Sequence, residues 1–111
     1  MVGKGDKKLL YDIIIIGTGV TGWGAAMYAG RMELKTLIIG DNHGGTIMLT
    51  DIVENYPGFK KLTGPELAEN IEKHAREYSI DIEDGHVLDI SLDMKKHIFT
   101  VVKKDGTPFK S

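Results

Sequence analysis

Tyr11-Asp12-Ile13-Ile14-Ile15-Ile16-Gly17-Thr18-Gly19-Val20-Thr21-Gly22 is the stretch that decides the fold. Its first half is apolar and β-branched. Its second half is a Gly-x-Gly-x-x-Gly run, and Trp23-Gly24-Ala25-Ala26-Met27-Tyr28-Ala29 follows with the small residues of a tightly packed helix. Three spaced glycines alone are weak evidence. Placed between a strand and a helix, they form the turn that brings backbone N–H groups and a helix N-terminus against a pyrophosphate. Gly17 permits the tight turn, Gly19 lets backbone approach the phosphates, and Gly22 lets helix and strand pack closely. Residues Gly17, Thr18, Gly19, Val20, Thr21 and Gly22 are therefore the first candidate cofactor contacts. A dinucleotide is the ligand they predict, and redox chemistry is the activity that follows. A purely structural glycine turn is the competing reading.

Working outward, residues 9–16 read as a buried parallel strand with helices over both faces, because the run is almost continuously apolar. Residues 20–32 read as a helix with Arg31 near its C-terminus, where a cation suits the dipole. Thr36-Leu37-Ile38-Ile39, within residues 35–40, is the second strand and completes a βαβ unit. Residues 41–61 are rich in polar and glycine residues and read as a functional loop with one helical turn after Gly45. Thr63 and Glu66 have capping-box spacing, Pro65 fits a first turn, and Leu67, Ile71, Ala75 and Tyr78 recur at helical spacing. Residues 79–83, 86–92 and 98–102 read as strands. Asp105-Gly106 signals a hairpin into a further strand over residues 107–111.

With 111 residues and 41% hydrophobic content, the chain is sized for one domain with a real core. A formal charge of −2 gives no reason to invoke nucleic acid or an anionic membrane. No cysteine is present, so this chain holds no disulfide, thiolate metal site or cysteine redox centre. The polar, glycine-containing residues 1–8 read as a disordered lead-in. The apolar run after them is too short for a membrane span and lacks the form of a signal peptide, so a cytoplasmic location is expected. His43, His74, His86 and His97 lack metal-ligand spacing, and Gly-x-Ser-x-Gly is absent. No metal site and no catalytic residue are expected. His43, just before Gly44-Gly45, reads as a solvated loop histidine, and Trp23 as helix packing.

A dinucleotide fold needs an acidic residue after the second strand to bind the adenosine ribose. Asp41 is the candidate, slightly late in position, and a simple turn aspartate is the alternative. A carboxylate there disfavours a 2′-phosphate and suits FAD or NAD.

Three motifs in register resemble the low-molecular-weight thioredoxin reductase family. They are Gly17 to Arg31, then Gly44-Gly45 followed by Glu54-Asn55-Tyr56-Pro57-Gly58-Phe59, then Leu62-Thr63-Gly64-Pro65-Glu66-Leu67. Order and spacing agree from Tyr11 to the last residue. The resemblance implies an FAD-binding domain over residues 9–111, with the pyrophosphate on Gly17, Gly19 and Gly22. It also places Gly44 and Gly45 along the ribityl and ring part of the flavin, Asn55 near the isoalloxazine, and Val87 at the adenine through its backbone. Thr46 departs from the glutamine common in the family. A hydroxyl there still donates and accepts a hydrogen bond but reaches less far.

The expected fold class is α/β: a Rossmann-type three-layer domain with a parallel sheet and a C-terminal β-meander, incomplete beside a full member of the family. The implied function is the FAD-binding part of a thioredoxin-disulfide reductase, truncated before the NADPH domain and its Cys-x-x-Cys. The resemblance thus covers the first third of such an enzyme. NADPH and thioredoxin, or another disulfide acceptor, belong to that full-length parent, with homodimerisation left open. A ferredoxin–NADP+ reductase-like flavoprotein fragment is one alternative. A non-catalytic dinucleotide-binding or dimerisation module is another.

Overall fold

The computed structural model describes residues 9–111, so the lead-in expected over residues 1–8 lies outside the described residues. In chain order the elements are β1 (Ile13–Ile16), α1 (Val20–Arg31), β2 (Thr36–Gly40), a 3-10 turn (Gly45–Leu49), α2 (Gly64–Ala75), β3 (Asp81–Asp84), β4 (Val87–Asp93), β5 (Ile98–Lys103) and β6 (Pro108–Lys110). The first three strands form a parallel sheet in the order β1-β2-β3. The last three form an antiparallel meander in the order β4-β5-β6. No helix among the described residues is long and apolar enough to cross a membrane.

β2 organises the layers, since all five of its residues are buried. Side chains alternate across a strand. Ile38 therefore packs with Trp23 and Ala26 of α1 and Ala75 of α2, while Leu37 and Ile39 pack with Tyr11, Val101 and Phe109. The three layers are thus helices, parallel sheet and meander. The α/β class and the meander are as expected, but the meander, not a second helical layer, covers the far face of the parallel sheet.

The strand expected to be buried, β1, is an edge strand that pairs with β2 alone among the described residues, and its Ile16 is 46% exposed. β1 is also shorter than the apolar run. Tyr11 leaves the parallel sheet, and its N–H donates to the Lys110 carbonyl at 2.9 Å, tying the chain start to β6. Apolar patterning alone does not distinguish a central strand from an edge strand whose flanking residues turn to a second sheet.

β3 has a split character. Ile82 packs on the helix side, while Asp81 and Glu83 reach the meander side. There the Tyr11 hydroxyl donates to Asp81 Oδ2 at 2.7 Å and Lys103 Nζ donates to Glu83 Oε1 at 3.0 Å. Burial, reinforced by Asp81, pushes the Tyr11 phenol well above its ordinary range. The bond to Glu83 holds the Lys103 ammonium above its own.

The loop over residues 41–61 contains the single helical turn expected after Gly45, and it also has a small core of its own. Val53 and Leu62 exchange backbone hydrogen bonds at 2.7 and 3.1 Å, and both side chains pack with Leu67 of α2. α2 begins at the capping box read from the sequence: Glu66 N–H donates to Thr63 Oγ1, and Thr63 N–H to Glu66 Oε1. The helix ends at Ala75, one turn before the expected Tyr78, whose side chain instead fills the space beside Gly30.

Candidate functional site

The carboxyl end of β1 opens into the glycine turn. The Gly17 N–H donates to the Ile39 carbonyl at 2.7 Å, so the turn grows directly out of the β1–β2 ladder. Gly17 has a φ of 114°, which an L side chain rarely adopts. Gly19 then caps α1 in an extended conformation, with no side chain on the helix amides and no acidic residue in the first turn. The first intrahelical bond of the cap runs from Trp23 N–H to Gly19 O at 3.0 Å. The amides of Val20, Thr21 and Gly22 precede it, and such first-turn groups have no partner inside a helix. A Cβ on Gly22 would overlap the Gly17 carbonyl, so helix and turn touch backbone to backbone.

The loop after β2 supplies the second wall. The Gly44 N–H donates to the Thr18 carbonyl at 2.7 Å, and Gly19 and Gly44 lie side by side as a parallel bridge. Gly44 and Gly45 have φ values of 96° and 65°, and a Cβ on Gly45 would come within 3.2 Å of Gly19 Cα. The result is a cleft of about 500 Å³ with a glycine floor, flanked by Ile15, Ile16 and Ile47.

Seven of the twelve residues selected from sequence line this cleft: Gly17, Gly19, Val20, Thr21, Gly22, Gly44 and Thr46. Gly45 sits against Gly19. Thr18 is buried, and its side chain occupies the space that a Cβ on Gly40 would need. Its Oγ1 has no hydrogen-bond partner. The other three stand apart from the lining. Asp41 follows the carboxyl end of β2, exposed, with Oδ2 3.6 Å from His86 Nδ1. Asn55 is exposed in the excursion closed by Val53 and Leu62. Val87 opens β4 and packs half-buried against the core beneath the meander.

His43 is the residue whose surroundings the sequence did not reveal. Its Nε2 is 2.9 Å from Asp84 Oδ1, and its ring meets Trp23 edge-on at 5.6 Å between centroids. Its place before Gly44-Gly45 was the only available signal. Trp23 is fully buried, as helix packing requires. Among the described residues, no group of three His, Cys, Asp or Glu side chains is arranged to hold a metal.

A second cleft, about 360 Å³, lies at the amino ends of the strands beside Tyr11, Thr36 and Asp81. It has no helix N-terminus and no glycine wall. Parallel α/β sheets bind ligands at the carboxyl ends of their strands, which favours the glycine cleft as the site.

The glycine-cleft sequence and fold recur in known proteins. The profile of the pyridine nucleotide-disulphide oxidoreductase family matches residues 11–110. Thioredoxin reductase of Bacillus subtilis (strain 168) is 38% identical over 107 residues, covering 96% of this chain and 33% of that protein. Thioredoxin reductase of Mycolicibacterium smegmatis is 41% identical over 103 residues, covering 91% and 32%. The crystal structure of thioredoxin reductase from Streptococcus pyogenes MGAS5005 superimposes with a TM-score of 0.83 at 32% identity, over 91% of this chain and 32% of that one. The chain spans about a third of the length of the curated relatives it matches, as the sequence resemblance implied.

Proposed function

This chain belongs to the pyridine nucleotide-disulphide oxidoreductase family, and from that premise we propose that it is the FAD-binding portion of a flavin-dependent thioredoxin-disulfide reductase. Family membership implies a flavin cofactor; FAD is the form assigned here. The observation that carries the reading is the amino end of α1, without a side-chain cap, opening into a cleft that Gly44 also lines.

The residues fit a pyrophosphate. Its oxygens need donors and close approach, and they are repelled by carboxylates. The amides of Thr21 and Gly22 are such donors, and the positive end of the α1 dipole adds to them. Gly19 and Gly44 keep side chains out of the way, and the first turn of α1 contributes no acid. In this assignment the Thr46 hydroxyl and Asn55 contact the ribityl and ring region. Asp41 holds the adenosine ribose, and Val87 offers backbone to the adenine.

Bound FAD would supply two-electron redox chemistry between a nicotinamide and a disulfide. The residues of this chain bind and orient the cofactor; with no cysteine, the chain itself cannot provide the dithiol. NADPH, thioredoxin or another disulfide acceptor and a cytoplasmic setting are assigned to the whole protein, with homodimerisation left open.

The test is a visible absorption spectrum of the desalted chain before and after incubation with FAD, paired with calorimetric titration by ADP. Flavin retained through desalting supports the reading. A folded chain that binds neither FAD nor ADP overturns it as a self-sufficient site. Binding of ADP without FAD would favour a dinucleotide-binding module without electron transfer.

A further inference from the structure

We propose that His43 is a positioning residue, a clasp that holds the Gly44–Gly45 wall against the glycine turn by tying it to β3 and α1. Only Asp41, Asn42, His43 and Gly44 separate β2 from the 3-10 turn. Gly44 and Gly45 have no side chains with which to anchor themselves, and glycine has more backbone freedom to lose than any other residue. Gly44 itself is held through its backbone, by the hydrogen bond from its N–H to the Thr18 carbonyl and its bridge to Gly19. Next to them, His43 is the loop side chain that reaches other elements.

His43 meets three other elements at once. Its Nε2 bonds Asp84 Oδ1 at 2.9 Å at the end of β3. A carboxylate oxygen only accepts, so Nε2 carries the proton. Its ring edge rests on Trp23 of α1, which is fully buried and therefore a rigid wall. Its Nδ1 faces Glu72 Oε1 of α2 at 3.9 Å, beyond hydrogen-bond reach. The other Glu72 oxygen is engaged by Arg76 Nε at 2.8 Å, and the Arg76 guanidinium stacks on Trp23 at 5.2 Å. Asp41, on the same loop, points to His86 instead. A solvated loop histidine would make none of these contacts.

The magnitude is modest. The Asp84 side chain is 84% exposed, so the charge-assisted bond contributes only a few-fold to holding the loop closed. The edge contact with buried Trp23 adds a comparable factor, which makes the combined effect on loop opening about tenfold. The proposal rests on the cofactor-site reading only for what the loop serves. The clasp itself is visible without any ligand.

The test is amide hydrogen exchange by NMR on the ligand-free 111-residue chain, followed by ADP titration. In His43→Ala, the Gly44 amide is expected to exchange about tenfold faster while Ala26 and Ala29, inside α1, keep their protection. His43→Gln places an amide donor where Nε2 lies and is expected to recover a few-fold of that loss. Asp84→Ala is expected to cost about threefold at Gly44. Unchanged Gly44 protection in His43→Ala overturns the proposal. So does an equal loss at Gly44, Ala26 and Ala29, which makes His43 a residue of general stability. Glutamine behaving like alanine removes the Asp84 bond from the argument and overturns the clasp as described. If the wild-type chain fails to bind ADP, the cofactor-site reading fails while the exchange result still decides the clasp.

Discussion

α1 begins at Gly19 with no side-chain cap, whereas α2 begins at Thr63 with two reciprocal side-chain hydrogen bonds. Both starts are closely packed on glycine. A Cβ on Gly22 would overlap the Gly17 carbonyl, and one on Gly64 would overlap the Ile47 carbonyl. Glycine and tight packing therefore do not distinguish the two helix starts. The side-chain cap does. Every helix leaves its first amides without internal partners, and the chain must bond them, solvate them or offer them to a ligand. In α2 the Thr63 hydroxyl accepts from the Glu66 amide and the Thr50 carbonyl from the Gly64 amide, and Glu66 adds its negative charge to the dipole. α1 has neither a side-chain cap nor an acid in its first turn, and Gly44 is bridged to its N-cap Gly19.

The comparison is broken most severely at its shared feature. Gly22→Val should destabilise the fold by ~3 kcal/mol or more, since backbone and not a movable side chain blocks the new atoms. Thermal unfolding followed by circular dichroism measures it, and a variant that unfolds with the wild type would show that the turn can give way. Thr21→Glu sharpens the difference between the two ends. It supplies α1 with the acid that α2 has, so FAD or ADP should bind at least about tenfold more weakly. Stability should meanwhile stay level or rise by about 0.5 kcal/mol from the dipole. Calorimetric titration alongside a melting curve reads both, and undiminished affinity would move the phosphate away from α1.

Thr63→Ala is the mirror experiment. Loss of the cap should cost about 1 kcal/mol, a fall in Tm of several degrees for a domain of this size, with no change in FAD affinity. A matching loss of affinity would mean that the two helix starts are coupled. The smallest effect concerns pH. Backbone and side-chain hydrogen bonds with Thr63 hold the Glu66 carboxyl below its ordinary range. Its contribution is therefore present above the unfolded carboxyl pKa and disappears as pH falls through the lower folded value. Glu66→Gln should flatten that part of the stability profile in acid, and identical profiles for wild type and variant would dismiss the contribution.

The sequence was most legible where function and structure depend on local backbone geometry. Gly17, Gly19 and Gly22 could be placed because a strand precedes them and a helix follows, and Thr63 with Glu66 because capping spacing is fixed by the helix itself. It was least legible where distant segments meet. Tyr11 reads like part of β1 but bonds to Lys110 and Asp81. Asp41 and Val87 stand outside the cleft lining, Asp41 exposed beside His86 and Val87 packed against the core beneath the meander. Nothing in the order His43-Gly44-Gly45 indicates Asp84, which is forty-one positions on.

By itself, then, the sequence determined the α/β class, the glycine turn, the two helix starts, the meander and the family. Each is encoded in residues close along the chain, through backbone conformation, hydrophobic period and cap chemistry. The tertiary structure alone decided that β1 is an edge strand among the described residues, that the meander covers the second face of the parallel sheet, and that Gly44 closes on Gly19. It also decided that His43 meets Asp84 and Trp23. Those contacts join residues far apart in the chain, and burial and charge pairing between them exist only once the layers are stacked.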